Sequence, residues 1–150
     1  MNGMNEDGLP LVGRVSVAVR DKDGRLLWKG CRKNLVVVDG FNLAAALIAK
    51  ESVTEVTHMA AGDSANAEDE GQSDLQGTEL ARVSVSTNRI GNEITHTADF
   101  SGINQDITVS EFGLFNDSSA GTMFARFTYS TFTLYAGQSM EIDWTIRVGQ

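Results

Sequence analysis

The stretch SEFGLFNDSSAGTMFARFTYS, Ser110 to Ser130, constrains the fold more than any other. Two runs of bulky apolar residues flank a short polar loop, NDSSAG, which is the pattern of a β-hairpin. In a strand, successive side chains point to opposite faces. Phe112 and Phe115 therefore take opposite faces of the first run, and Met123 and Phe124 opposite faces of the second. A hairpin that is apolar on both sides must be covered on both sides. Phe112, Leu114, Met123, Phe127 and Tyr129 can fill one core face. Phe115, Phe124 and Phe132 remain for the other, and three exposed aromatics would form a patch that a monomer rarely tolerates. Two coverings stay open: a neighbouring subunit, with these three residues at the boundary, or a second core under the helix that Phe41 to Lys50 encodes.

The rest of the chain reads as strands around that hairpin. Val15, Val17 and Val19 alternate with Arg14, Ser16, Ala18 and Arg20, the pattern of a half-buried strand. Asp23-Gly24 predicts a type I′ turn into a return strand that carries Leu27 and Trp28. The Ala/Leu-rich run FNLAAALIAK, after the break at Asp39-Gly40, predicts the one helix, with Leu43, Leu47 and Ile48 on a single face. Val56 to Ala60 predicts a buried strand ending at Gly62. From Glu79 onward all is strand: Val83 and Val85, then Ile94, His96, Ala98 and Phe100, then the hairpin. The closing strand turns Ile142, Trp144, Ile146 and Val148 inward. Eight or nine short, evenly spaced strands with one helix predict an antiparallel β-sandwich of jelly-roll type. Residues 11–150 form its single domain, and Met1 to Pro10, without period or apolar content, an extended arm.

Bulk properties exclude several function classes. The single cysteine, Cys31, rules out an internal disulfide framework and a multi-cysteine metal site. The net charge of −8 argues against a nucleic-acid partner, because phosphate binding needs a concentrated basic surface. No apolar run approaches a membrane span, and the amino terminus lacks the basic and apolar regions of a signal peptide.

The search for chemistry returns little. His58 lies in the predicted buried strand and His96 on an apolar face, where a hydrogen-bonded core residue is the ordinary role. DKDG lacks the downstream ligands of a calcium loop. The acidic stretch Asp63 to Thr78 lacks regular ligand spacing and reads as a solvated, mobile loop. Glu111, set among apolar neighbours, has no second carboxylate for acid–base work; a structural partner, Arg82 or Arg126, is expected. No catalytic residue, cofactor or metal ligand is assigned.

Six segments, taken in order, resemble a class of small structural proteins of tailed bacteriophages. They are KNLVVVDG (33–40), THMAAGD (57–63), TELAR (78–82), EFGLFN (111–116), GTMFAR (121–126) and WTIRV (144–148). The resemblance spans Val12 to Val148. It implies a non-enzymatic β-sandwich of the virion, made in the host cytoplasm. Asn34, Glu111, Asn116 and Arg126 match the polar positions of these motifs and are expected to support turns and buried pairs. A self-contained domain with an arm, ending two residues after its last strand, fits a capsid decoration (cement) protein, expected as a homotrimer bound to the major capsid protein. A small tail, neck or baseplate adaptor is the main alternative. A carbohydrate-binding module is a second alternative, with Trp28 as its only plausible sugar-facing aromatic.

Overall fold

A computed structural model describes residues 11–149, so the predicted arm Met1–Pro10 lies outside the described residues. Eight strands and one helix follow in the order β1 (Leu11–Arg20), β2 (Leu26–Val36), α1 (Val38–Ile48), β3 (His58–Gly62), β4 (Glu79–Ile90), β5 (Glu93–Phe100), β6 (Ile107–Phe115), β7 (Met123–Leu134) and β8 (Ser139–Val148).

The strands do not form a sandwich. They close into a barrel in the order β1-β2-β7-β6-β3-β4-β5-β8, every neighbouring pair antiparallel. Two long strands make the closure. β4 pairs with β3 through Ser84 and with β5 from Val85 onward. β2 runs beside β1 and reaches β7 only at its end, through Leu35↔Arg126 and Val36↔Ala125. A strand that changes partners midway carries the pairing from one sheet into the next and so closes the order into a ring. Period-two alternation cannot report this, because a sandwich and a barrel both turn every second residue inward.

The interior holds most of the inward residues read from the alternation, but Met123, expected on the core face with Phe112, lies on the outer face. Val15, Val17, Val19, Ala98, Phe100, Ile142, Trp144 and Ile146 are all buried. Phe112 stacks on Phe127 at 4.8 Å, Phe127 meets Trp144 edge-on at 4.9 Å, and Phe100 meets Phe112 at 6.3 Å. Each fully buried side chain of this size stabilises the fold by about 1.5–3 kcal/mol relative to exposure.

Three local expectations need correction. The helix starts at Val38, ahead of Asp39-Gly40. Gly40 is no breaker there: a Cβ on it would lie 2.0 Å from the Phe124 carbonyl oxygen, so the absent side chain lets helix and β7 touch backbone to backbone. The β1–β2 turn is not type I′, which needs two residues of positive φ. Only Gly24 has one, at 84°, and the Asp21 carboxylate holds the turn by accepting from the Asp23 and Arg25 N–H groups, both at 2.9 Å. The strand expected at Val56–Ala60 begins two residues later, at His58.

The doubly apolar hairpin is covered by its own chain. Every residue of β6 from Val109 to Phe115 is buried. On the outer face Phe115 and Met123 join Val37, Ala60 and Leu75 in a second, smaller core. Leu75 belongs to the acidic loop, which therefore acts as a lid over this face. A β-bulge permits the arrangement: Leu114 pairs with Ala125 and Phe115 with Met123, leaving Phe124 as the extra residue. Met123 then points out and Phe124 joins the main core.

Candidate functional site

Two places gather polar groups in apolar surroundings. The first is under the acidic loop. Glu111 and Arg126 stand diagonally on the outer faces of β6 and β7, both 0% exposed, with Arg126 Nε donating to Glu111 Oε1 at 3.0 Å. The carboxylate also accepts from the backbone N–H groups of Ser64, Gln76 and Gly77, at 2.9, 2.8 and 2.9 Å. Arg126 Nη1 donates to the Asn66 carbonyl at 2.9 Å and to Gln72 Oε1 at 3.1 Å. Gly77 allows the approach, since a Cβ there would meet Asp63 Oδ1 at 2.2 Å. Buried charges persist only when paired and hydrogen-bonded; here Nε and Nη1 of Arg126 are bonded, while Nη2 is buried without a partner among the described residues. With four donors on its two oxygens, Glu111 works as a clasp for both ends of the loop.

The acidic stretch is thus not a free loop. Glu68 Oε1 accepts from the Thr128 hydroxyl at 2.9 Å, and the Glu70 carbonyl accepts from the Val38 N–H at 2.8 Å. Among the described residues, no group of three His, Cys, Asp or Glu side chains is arranged to hold a metal.

Of the two arginines expected as partners for Glu111, Arg126 takes the role. Arg82 instead pairs with Glu79 at 2.7 Å and donates to the carbonyls of Asp117 and Ala120. Its guanidinium lies 4.0 Å from the centre of the Phe115 ring, a cation–π contact that helps cover that ring. Asn116 accepts from the Thr122 N–H at 2.8 Å and donates to the Thr54 carbonyl at 3.1 Å, so it closes the hairpin loop and ties it to the chain after α1. Asn34 lies against Gly13, with its amide atoms buried and without partners among the described residues.

The second place is the barrel end beside α1. A cleft of about 790 Å³ opens there. Its apolar wall comes from the barrel (Leu11, Val85, Ile94, Ile146, Val148), from Val56 and Phe124, and from Ala44, Leu47 and Ile48 of the helix. The reason lies in the helix. Leu43 is 5% exposed, but Leu47 is 37% and Ile48 83% exposed, so α1 carries more apolar surface than the barrel receives. Val12 and Ile90, 37% and 75% exposed, stand on the outer face of the sheet instead, where the registers set them in one row with Arg147 and Glu93. The polar rim holds Glu55 and both histidines. His58 Nδ1 bonds the Thr57 hydroxyl at 2.8 Å and His96 Nδ1 the Thr87 hydroxyl at 2.9 Å. Burial pushes the His96 pKa down to about 4, so its ring is neutral at physiological pH. Both histidines are thus hydrogen-bonded, and both also border an open space that the strand pattern gave no sign of.

The three aromatics expected at a subunit boundary separate. Phe115 is 1% exposed in the second core, Phe124 is 8% exposed on the cleft wall, and Phe132 is half-buried. Phe132 meets Trp28 edge-on at 5.0 Å, and Trp28 stacks on Tyr129 at 5.7 Å. Trp28 therefore packs its ring against two neighbouring aromatics, one stacked and one edge-on. Sequence reasoning missed Ile48 as a cleft residue and Leu75 as part of the hairpin's cover. The signal for Ile48 was present, in a helix face wider than one contact needs; Leu75 is a lone apolar residue in a polar loop.

No family model matches the chain, and neither the curated proteins nor the solved structures contain a match.

Proposed function

We propose that this chain is a structural protein of a tailed-phage virion, most specifically a capsid decoration protein that docks on the shell through the apolar barrel end beside α1. The observation that carries this reading is the exposed apolar surface of Leu47 and Ile48 along the apolar cleft, on a chain whose net charge is −8. Apolar surface gathered at one end of an acidic molecule favours burial against another protein, while the charge keeps the remainder solvated. The phage-like motifs support the same reading. THMAAGD, TELAR, EFGLFN and GTMFAR supply β3, the start of β4, β6 and β7, the strands around the clasped loop. Their polar residues Glu111, Asn116 and Arg126 are spent on rigidity, as a load-resisting protein requires.

Binding the assembled shell more tightly than separated subunits stabilises the shell by mass action, without any catalytic group. Particles lacking the protein are expected to assemble yet release DNA at lower temperature or under osmotic shock, and added purified protein is expected to restore resistance. Equally robust particles that fail to adsorb or to eject DNA would replace this reading with the tail or neck adaptor. The homotrimer is part of the proposal, and light scattering on the free protein tests it.

A further inference from the structure

We propose that the outer edge of β2 is a docking strand for an extended acidic segment of a partner protein, which pairs with it by β-augmentation. This inference stands apart from the virion reading and uses a different face. β2 is 11 residues long, yet its pairing with β7 is confined to Leu35 and Val36. From Leu26 to Asn34 its second edge has no strand partner among the described residues. β7 turns away at the same place: it advances from Thr128 to Phe132 while β6 advances only from Glu111 to Val109, an irregularity that takes Tyr129 to Thr131 out of register. The Trp28, Tyr129 and Phe132 rings, all half-buried, pack into the gap from within, leaving their outer rims uncovered. Unpaired N–H and C=O groups over an uncovered apolar floor are what an added strand needs.

Charge identifies the occupant. Arg25, Lys29, Arg32 and Lys33, four of the chain's 12 basic residues, lie within nine positions, and all are exposed. None forms a salt bridge among the described residues, in a chain with 20 acidic side chains. Arg32 reaches across the gap, its Nη2 3.4 Å from the Ser130 hydroxyl and its guanidinium 4.5 Å from the centre of the Tyr129 ring. Trp28 and Gly30 take the inward positions of β2, so Lys29 and Lys33 stand on the outer face. A strand laid beside them puts alternate side chains next to the lysines and the others on the aromatic rims. The complementary segment alternates acidic and apolar residues.

The test is fluorescence polarisation of the full chain with a labelled eight-residue peptide alternating valine and glutamate. Saturable binding is expected. It should be lost when the peptide is N-methylated at alternate residues, which removes backbone donors and keeps the charge. The double variant Lys29→Glu/Lys33→Glu should bind roughly tenfold more weakly or worse, and the distant exposed-site variant Arg89→Glu should bind normally. Equal binding of the N-methylated peptide would overturn the proposal, because charge alone would explain the contact. Absence of peptide binding would overturn it too. So would binding of a single-stranded oligothymidylate in place of the peptide, which would make the basic strand a nucleic-acid surface.

Discussion

His96 shows how one buried side chain makes the whole fold sensitive to acid. Its ring is 7% exposed, and burial lowers its pKa from the usual 6.5 to about 4. Above pH 6.5 both folded and unfolded chains carry it neutral, and it contributes no pH dependence. Between 6.5 and 4 the unfolded chain binds a proton that the folded chain refuses, so stability falls as pH falls, by about 3 kcal/mol at most. Below 4 both forms are protonated and the slope vanishes. Urea denaturation at about pH 7.5 and about pH 4.5 measures the loss. The variant His96→Leu is expected to lose distinctly less between these two values than the natural chain. An identical loss in both would show that other groups carry the acid sensitivity. Gly40 makes a second residue-scale case. The carbonyl facing it is backbone and cannot rotate aside, so Gly40→Ala is expected to cost about 1–3 kcal/mol, read from the same denaturation curves. A helix-propensity argument alone predicts the opposite sign.

Among the elements, the acidic loop 63–78 differs most from its first reading, and the difference has a physical source. Its composition is that of a solvated loop, and composition is all that a sequence displays at this scale. What orders it is one buried carboxylate contributed 34 or more positions later in the chain, and the N–H groups that it binds are backbone, invisible in residue names. Glu111 is conspicuous as a charge among apolar neighbours, and its arginine partnership is legible for the same reason; which arginine is not, because that depends on strand order, which puts Arg126 on β7 next to β6 and Arg82 on β4, two strands away. Strand content, inward residues and the helix were legible from periodicity. Closure of the barrel was not, because it depends on β2 and β4 changing partners partway along. Glu111→Gln keeps the shape and removes the charge, leaving Arg126 buried without its counter-ion. Breaking a buried pair in this way is expected to cost about 3–5 kcal/mol. Limited proteolysis should show the consequence locally, as faster cleavage between Asp63 and Thr78. If the variant is cleaved there no faster than the natural chain, the clasp does not hold the loop.

Across the whole molecule, function turns on which surface is left for a partner once the chain has covered itself. The doubly apolar hairpin leaves two coverings open from sequence, a second subunit or a second core under the helix, and the fold covers it with its own acidic loop. Phe124→Asp would therefore place a charge on a nearly buried core position, and loss of the fold is its expected outcome. One apolar surface that remains uncovered lines the cleft at the barrel end beside α1, and Ile48 is its most exposed large residue, at 83%. Ile48→Asp should leave the fold intact, because the side chain contributes little to the core. Surface substitutions of this kind usually change stability by about 0.5 kcal/mol or less. The same change puts a charge into any interface that covers this end, where an unpaired buried charge is strongly unfavourable. The expected result is a protein with an unchanged circular dichroism spectrum and melting midpoint that no longer sediments with particles lacking the native copy. A control at Lys22, exposed in the turn after β1 at the end opposite the cleft residue Leu11, should still bind. If the Ile48→Asp protein decorates particles as tightly as the natural one, the apolar end is not the docking face, and the proposed mode of attachment fails with it.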